Sequence, residues 1–190
     1  MNQVTMPVDD RRELRRALRS ARRGLGAEEQ RIAALAACRA FTAAGLLRPG
    51  ARIAAYLPMD GELDPRPLIA AATRRGCRVY LPVIDDFRRR RMHFAMDGRT
   101  IAPRWLDLVI VPAVAIDPSG NRLGMGAGFY DRHFAFLAQR SHWRHPRLVA
   151  LVHEFQLLPE LPSHAWDVPV WGIVTPAGFQ RSRPHEPQGV

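Results

Sequence analysis

Residues 51–84, ARIAAYLPMDGELDPRPLIAAATRRGCRVYLPVI, decide the fold class. ARIAAYLP is an apolar strand rising from the turn at Pro49 and Gly50, and CRVYLPVI is another. The helix between them carries its own punctuation. Asp64 can cap its N-terminus, Pro65 suits the first helical position, LIAAATRR forms the body and Gly76 stops it. Strand, helix and strand over this length make a parallel crossover.

The chain on either side extends the pattern. Residues 10–25 place Leu14, Ala17, Leu18, Ala21 and Leu25 at helical spacing with arginines on the remaining faces. A second helix over 27–44 presents Ile32, Leu35, Ala36 and Phe41, with Gly45 as its stop. Downstream, RRRR (88–91), which reads as a solvated loop before an anion site, leads into MHFAM, a short strand, and DLVIVPAVAID (107–117) reads as one strand buried on both faces. NRLGMGAGFYDR (121–132) follows, then a helix over GFYDRHFAFLAQR, a strand RLVALVHE, a loop FQLLPELPSHAWD and a last strand VPVWGIV. Alternating strands and helices specify a single α/β domain, residues 1–180, with a mainly parallel sheet flanked by helices. Residues 181–190 are expected to be a disordered tail.

Composition narrows the function classes. Apolar residues make up 47% and charged residues 24% of the 190, so a packed core is expected and disorder is not. The longest apolar run is too short to span a bilayer, and no secretory h-region precedes the first helix, which points to the cytoplasm. Cys38 and Cys77 form no CxxC pair, and the seven histidines show no zinc spacing. The net charge of +10 comes from 28 basic residues, all of them arginine. That field favours anionic ligands: nucleotides, small polyanions or nucleic acid.

The glycine motif leaves a buried strand and enters a helix, where open α/β sheets bind ligands. Gly124, Gly126 and Gly128 lack Cβ atoms, so backbone N–H groups can approach an oxyanion at the helix N-terminus. Arg122 can donate a fork of hydrogen bonds to phosphate, Asp131 can offer a carboxylate to Mg²⁺, and Phe129 and Tyr130 can wall a flat ring. The motif is neither a P-loop nor GxGxxG, so a plain turn stays open beside a phosphate cradle. Glu62 also follows a strand and Asp167 sits near a later one, so both could converge with Asp131; His153 and Trp166 read as packed or surface residues before ligands.

RLGMGAGFYDR preceded by LVIVPAVAID, together with YLPMDGELD, RVYLPV, HEFQ and LPSHAWDVPVWGIVTP, resembles the 5-formyltetrahydrofolate cyclo-ligase (5,10-methenyltetrahydrofolate synthetase) family along most of the chain. The resemblance implies a Rossmann-like, NagB/RpiA/CoA transferase-like fold. It also implies ATP- and Mg²⁺-dependent conversion of 5-formyltetrahydrofolate to 5,10-methenyltetrahydrofolate, through a phosphorylated formyl intermediate, by a monomer. Carried over by position, Arg11, Arg15, Arg122, Leu123, Gly124, Met125, Gly126, Ala127, Gly128, Phe129 and Tyr130 would bind the nucleotide. Arg122 and Tyr130 would assist catalysis, Glu62 and Tyr130 would contact folate, and Asp131 and Asp167 would hold Mg²⁺. Two departures stand out: Arg11 replaces the usual lysine, and DGRTIAPRWL replaces a longer segment that ends in Glu-Pro and walls the folate pocket. The shortened segment keeps a related ATP-binding enzyme with another substrate as an alternative. The charge keeps a nucleic-acid-binding module as a remote one, although no membrane or nucleic-acid partner is expected.

Overall fold

The computed structural model describes residues 8–126, 128–137, 145–162, 164 and 167–183. After the helices α1 (Val8–Gly24) and α2 (Ala27–Ala43) come β1 (Arg52–Ala54), α3 (Arg66–Arg74), β2 (Arg78–Asp86), β3 (Arg91–Met96) and β4 (Arg99–Ile101). Then follow β5 (Leu108–Val111), β6 (Ala115–Ile116), β7 (Arg122–Leu123), α4 (Phe129–Phe134), β8 (Arg147–Leu151), β9 (Gly172–Thr175) and β10 (Gly178–Arg181). The main sheet runs β10-β9-β8-β5-β1-β2-β3-β4. Its inner strands β9, β8, β5, β1 and β2 are parallel, and antiparallel pairings, β9 with β10 and the β2-β3-β4 meander, finish the two edges.

The central strand β5 is apolar and buried on every residue because both faces of the sheet are covered. Along β5, Leu108 and Ile110 enter the cluster under α2 and α3, while Val109 and Val111 enter the cluster under α4. β8 repeats the alternation, with Val149 and Leu151 on the first face and Leu148 and Ala150 on the second. Successive side chains of a strand point to opposite faces, so this register leaves no polar face and makes a three-layer α/β/α stack. Phe41 from α2 and Phe94 from β3 are each fully buried, one in each cluster. None of the described helices is long and apolar enough to cross a membrane.

Counting only parallel strands, the order is 2-1-3-4-5 in chain sequence, so direction along the sheet reverses between β1 and β5. Such a reversal opens a crevice beyond the strands' carboxyl ends, where doubly wound sheets bind ligands. The loops that fill it are 55–64 after β1 and 112–128 after β5.

Several elements differ from the sequence expectation. DLVIVPAVAID does not form one strand: β5 ends at Val111, and Ala115 and Ile116 pair antiparallel with Leu123 and Arg122 in a separate hairpin. Pro112 has no N–H to give the ladder, and β5 stops just before it. α3 starts at Arg66 rather than Pro65, with the Asp64 carboxylate accepting the Arg66 N–H at 2.9 Å. α4 spans only Phe129–Phe134 before tightening into a 3-10 turn over Ala135–Leu137; the rest of that expected helix lies outside the described residues. The last strand is shorter than VPVWGIV and turns into β10, which sequence reading missed. Arg181 ends β10, and Ser182 N–H and Arg183 N–H donate to Trp171 O and Pro118 O, so order continues past the expected start of the tail. Residues 184–190 lie outside the described residues.

The β6-β7 hairpin is closed by Asp117, which is 1% exposed. Its carboxylate accepts the Asn121 N–H and side-chain amide at 2.9 Å each and the Leu161 N–H at 3.0 Å. Gly120 makes the turn at φ +90°, and a Cβ there would sit 2.5 Å from Val170 O. Gly120→Ala is therefore expected to lower unfolding free energy by about 2 kcal/mol or more, from left-handed strain plus the clash. Urea denaturation of the variant measures it.

Candidate functional site: a helix laid across the sheet crevice

α1 lies across the β6-β7 hairpin. Leu14 and Leu18, four apart and so on one face, pack against Ala115, Leu123 and Leu161. Its arginines then meet three loops in succession. Arg11 donates to Pro162 O at 2.6 Å and lies 2.9 Å from His164 Nε2. Arg15 donates through Nε to Gly124 O at 3.0 Å. Arg19, Arg22 and Arg23 all converge on the Asp60 carboxylate, at 2.6, 3.2 and 2.9 Å. Arg12, Glu13, Arg15, Arg16, Arg19 and Arg23 line an open groove of ≈ 660 Å³ on the helix's outer side.

The loop after β1 is shaped by this contact. Asp60 takes φ +53° and Gly61 φ +73°, and a Cβ on Gly61 would lie 2.8 Å from the Arg22 backbone. The turn carries Glu62 inward, where it is 7% exposed; its Oε2 accepts the Met59 N–H at 3.1 Å, and its Oε1 lies 3.9 Å from Arg22 Nη1. Burial pushes the Glu62 carboxyl up, against the lowering effect of the Met59 N–H and the Arg22 charge. Tyr56, whose hydroxyl donates to Leu63 O, and Tyr130 both sit within electrostatic reach of Glu62. Burial raises both phenols well above their ordinary value, so each stays protonated and can donate but not act as a base at neutral pH.

In the loop after β5, Gly126 and Gly128 take φ +99° and +66°, as expected of the cradle, whereas Gly124 has an ordinary φ. Among the described residues, a Cβ on Gly124 or Gly126 would meet nothing within 4 Å. Gly128 is the N-cap of α4. Ala127 lies outside the described residues.

Arg122 is buried, with 5% of its side chain exposed. It donates to Asp131 Oδ1 and to Val168 O. Burial lowers its pKa, and the nearby charges of Asp131 and Asp167 oppose the shift. The two expected metal ligands thus both lie within electrostatic reach of one guanidinium, and Asp131 is in direct contact with it. Asp131 keeps about a third of its side chain exposed and one oxygen outside the described hydrogen bonds; Asp167 uses Oδ2 to accept the His164 N–H at 2.9 Å. Among the described residues no group of three or more candidate ligands could hold a metal, so Glu62, Asp131 and Asp167 do not form one cluster. One or two carboxylates still suit Mg²⁺, which takes most of its remaining ligands from water and phosphate.

Sequence reading missed the hairpin tip between β2 and β3. Phe87 lies 5.5 Å from Phe129 between ring centroids, and Arg90 Nη1 lies 3.8 Å from the position a Cβ on Gly128 would take. It also missed Arg22 and Asp60. A signal for Arg22 existed, since it extends the Leu14, Leu18 spacing by another four residues onto the buried face. His153 and Gln156 of HEFQ are core residues: Gln156 donates to Ala113 O and Val114 O at 2.8 and 2.9 Å and accepts the His153 N–H. Trp166 lies outside the described residues.

Fold and site define an α/β domain with a basic, glycine-lined crevice at its switch point. The model of the 5-formyltetrahydrofolate cyclo-ligase family matches residues 7–99 and 95–176, and the chain belongs to that family. It is 36% identical over 183 residues to the 5-formyltetrahydrofolate cyclo-ligase of Escherichia coli K12, covering 84% of this chain and 97% of that one. It is 34% identical to that of Mycolicibacterium smegmatis over 157 residues, 70% of this chain and 77% of the relative. The solved 5,10-methenyltetrahydrofolate synthetase of Aquifex aeolicus superposes with a TM-score of 0.75 at 25% identity, covering 95% of this chain and 96% of that one.

Asp60 gives the site a pH dependence. The hydrogen bond from Arg19, followed by that from Arg23, holds its carboxyl below the ordinary 3.8. Its stabilisation is therefore complete above about pH 4 and lost as pH falls through the depressed folded value. Asp60→Asn is expected to flatten acid unfolding below about pH 4 and, at neutral pH, to cost on the order of 3 kcal/mol by taking from the buried Arg22 the carboxylate it is hydrogen-bonded to. Urea titrations at stepped pH check both.

Proposed function

We propose that the crevice between β1 and β5 carries out the ATP-dependent ring closure of 5-formyltetrahydrofolate to 5,10-methenyltetrahydrofolate, with release of ADP and phosphate. The supporting observation is that one face of α1 joins the three loops this chemistry needs: the glycine loop through Arg15, the 162–164 loop through Arg11 and the Glu62 loop through Asp60.

The formyl oxygen is an amide oxygen and leaves poorly. Its attack on the γ-phosphorus expels ADP and gives a phosphorylated iminium carbon. N10 adds to that carbon and gives up its proton, and the C–O bond then breaks with its electron pair departing on phosphate. Such a sequence needs placement and charge neutralisation rather than a protein nucleophile. Arg11, Arg15 and Arg122, with Leu123, Met125, Phe129 and the backbone of Gly124 to Gly128, hold the nucleotide in this reading. Arg122, already shielded by carboxylates, takes up charge that develops on the transferred phosphoryl group, and the protonated Tyr130 donates a hydrogen bond beside it. Glu62, next to Tyr130, accepts from the donor-rich edge of the folate ring. Arg11 keeps the positive charge of the family lysine and can present two donors at once. Asp131 and Asp167 are the residues that would hold Mg²⁺, which when bound neutralises phosphate charge. Each residue comes from one chain, in keeping with a cytoplasmic monomer.

The shortened segment, here β4 and the turn Pro103–Trp105, keeps a second reading in which the same site serves another acceptor. Incubating the protein with 5-formyltetrahydrofolate and Mg-ATP separates the two through the near-ultraviolet absorbance of the methenyl product. Its appearance is expected; ATP binding without product or folate effect would overturn the ring closure. Asp131→Ala is expected to raise the Mg²⁺ concentration for half-maximal rate roughly 10-fold or more. Gly124→Ala meets no atom of its own fold, so it is expected to leave the melting temperature unchanged while raising the KM for ATP about tenfold. An unchanged KM would remove the nucleotide from that side of the loop.

A further inference from the structure

We propose that Arg22 is a positioning residue for this reaction: one buried guanidinium fixes the Glu62 loop and the glycine loop in a single arrangement. The inference rests on the reading of Glu62 as a folate contact and extends it to the residue that sets where Glu62 stands.

Arg22 is 0% exposed. Its Nη1 donates to Ala113 O at 3.3 Å, its Nη2 donates to Asp60 at 3.2 Å, and Met125 Sδ of the glycine loop lies 3.8 Å from Nη2. Glu62 Oε1 stands 3.9 Å from Nη1, and Nε has no hydrogen-bond partner among the described residues. A buried cation is costly unless all its donors are met, and an apolar side chain of similar volume is often as stable or more so. Arg22 is poorly optimised by that measure. Its position explains the arrangement better than stability does, because it is the side chain shared by α1, the loop after β1 and the loop after β5. The close seat of Gly61 on the Arg22 backbone, 2.8 Å for a would-be Cβ, locks the loop after β1 onto α1 at the same residue.

The groups facing Glu62 are Arg22 and Arg19 from α1, Asp60 beside it, Tyr56 at the end of β1 and Tyr130 from α4; His153, after β8, faces Arg22. Both tyrosines stay neutral across an assay range. The charge of Arg22 favours the ionised Glu62 against its burial, so removing it moves the Glu62 carboxyl further up.

Wild-type protein, Arg22→Met, Arg22→Lys and Glu62→Gln are compared by steady-state methenyl formation across pH. Arg22→Met is expected to raise the KM for both 5-formyltetrahydrofolate and ATP about tenfold and to move the acid limb of kcat/KM for folate to higher pH. Arg22→Lys keeps the charge and loses the fork, so the limb is expected to return toward wild type while both KM values stay raised. Glu62→Gln is expected to abolish the limb and raise the KM for folate alone. A folded Arg22→Met with both KM values and the limb unchanged, beside an impaired Glu62→Gln, overturns the role of Arg22 and spares that of Glu62. An unaffected Glu62→Gln overturns the Glu62 reading itself. Should Arg22→Met not fold, Arg22→Lys decides: KM values within twofold of wild type overturn the proposal, and failure of both to fold assigns Arg22 to the core alone and overturns it as well.

Discussion

The convergence of three arginines on the Asp60 carboxylate makes α1 part of the molecule. Apart from Leu14 and Leu18, that helix has little apolar surface to bury, and on its own it would be a basic rod repelled by its own charge. Asp60 gives the charge a fixed place to go. Once the helix is seated there, Arg15 reaches the glycine loop and Arg11 reaches the 162–164 loop without further adjustment, because four-residue steps keep them on one face. The crevice is thus built from outside the sheet as much as from its strands.

The sheet's own contribution is a reversal and an interruption. β1 and β2 grow toward one edge, β5, β8 and β9 toward the other, and Pro112 stops β5 just where the crevice opens. The residues after Pro112 then turn back as a small hairpin, held by Asp117, rather than running on past the sheet. A longer β5 would carry the glycine motif away from α1. The short strand and the buried aspartate are two parts of one solution to bringing Gly124 beside Arg15.

The crossover over 51–84, the apolar strands and the helix faces were legible in the sequence, since periodicity and turn residues speak for short-range order. The glycine motif was legible too, although only Gly126 and Gly128 use the positive φ that the motif advertised. What sequence could not show was pairing at a distance. The spacing from Leu14 and Leu18 marks Arg22 as inward-facing, but nothing in the sequence ties it to Asp60, 38 positions away. The same applies to Arg122, whose guanidinium is already engaged by Asp131 and Val168 O in this fold, and to the β2-β3 tip, where the run of arginines reads as a solvated loop until Gly128 stands beside Arg90. Pro112 and β10 were errors of a different kind: a continuous apolar run hid a break, and a polar tail hid an edge strand.

The glycines of the two loops are held for different reasons. Gly120 and Gly61 are enforced by the chain itself, because another part of the backbone already occupies the space a side chain would take. Gly124 has an ordinary φ and meets no atom of the described residues, so on the reading proposed for its loop it is enforced only by what arrives from solution. A lineage that stopped using the nucleotide would be free to lose Gly124 while still needing Gly61 and Gly120 to fold. The order in which these positions drift would separate descendants that have abandoned the chemistry from those that have abandoned the structure.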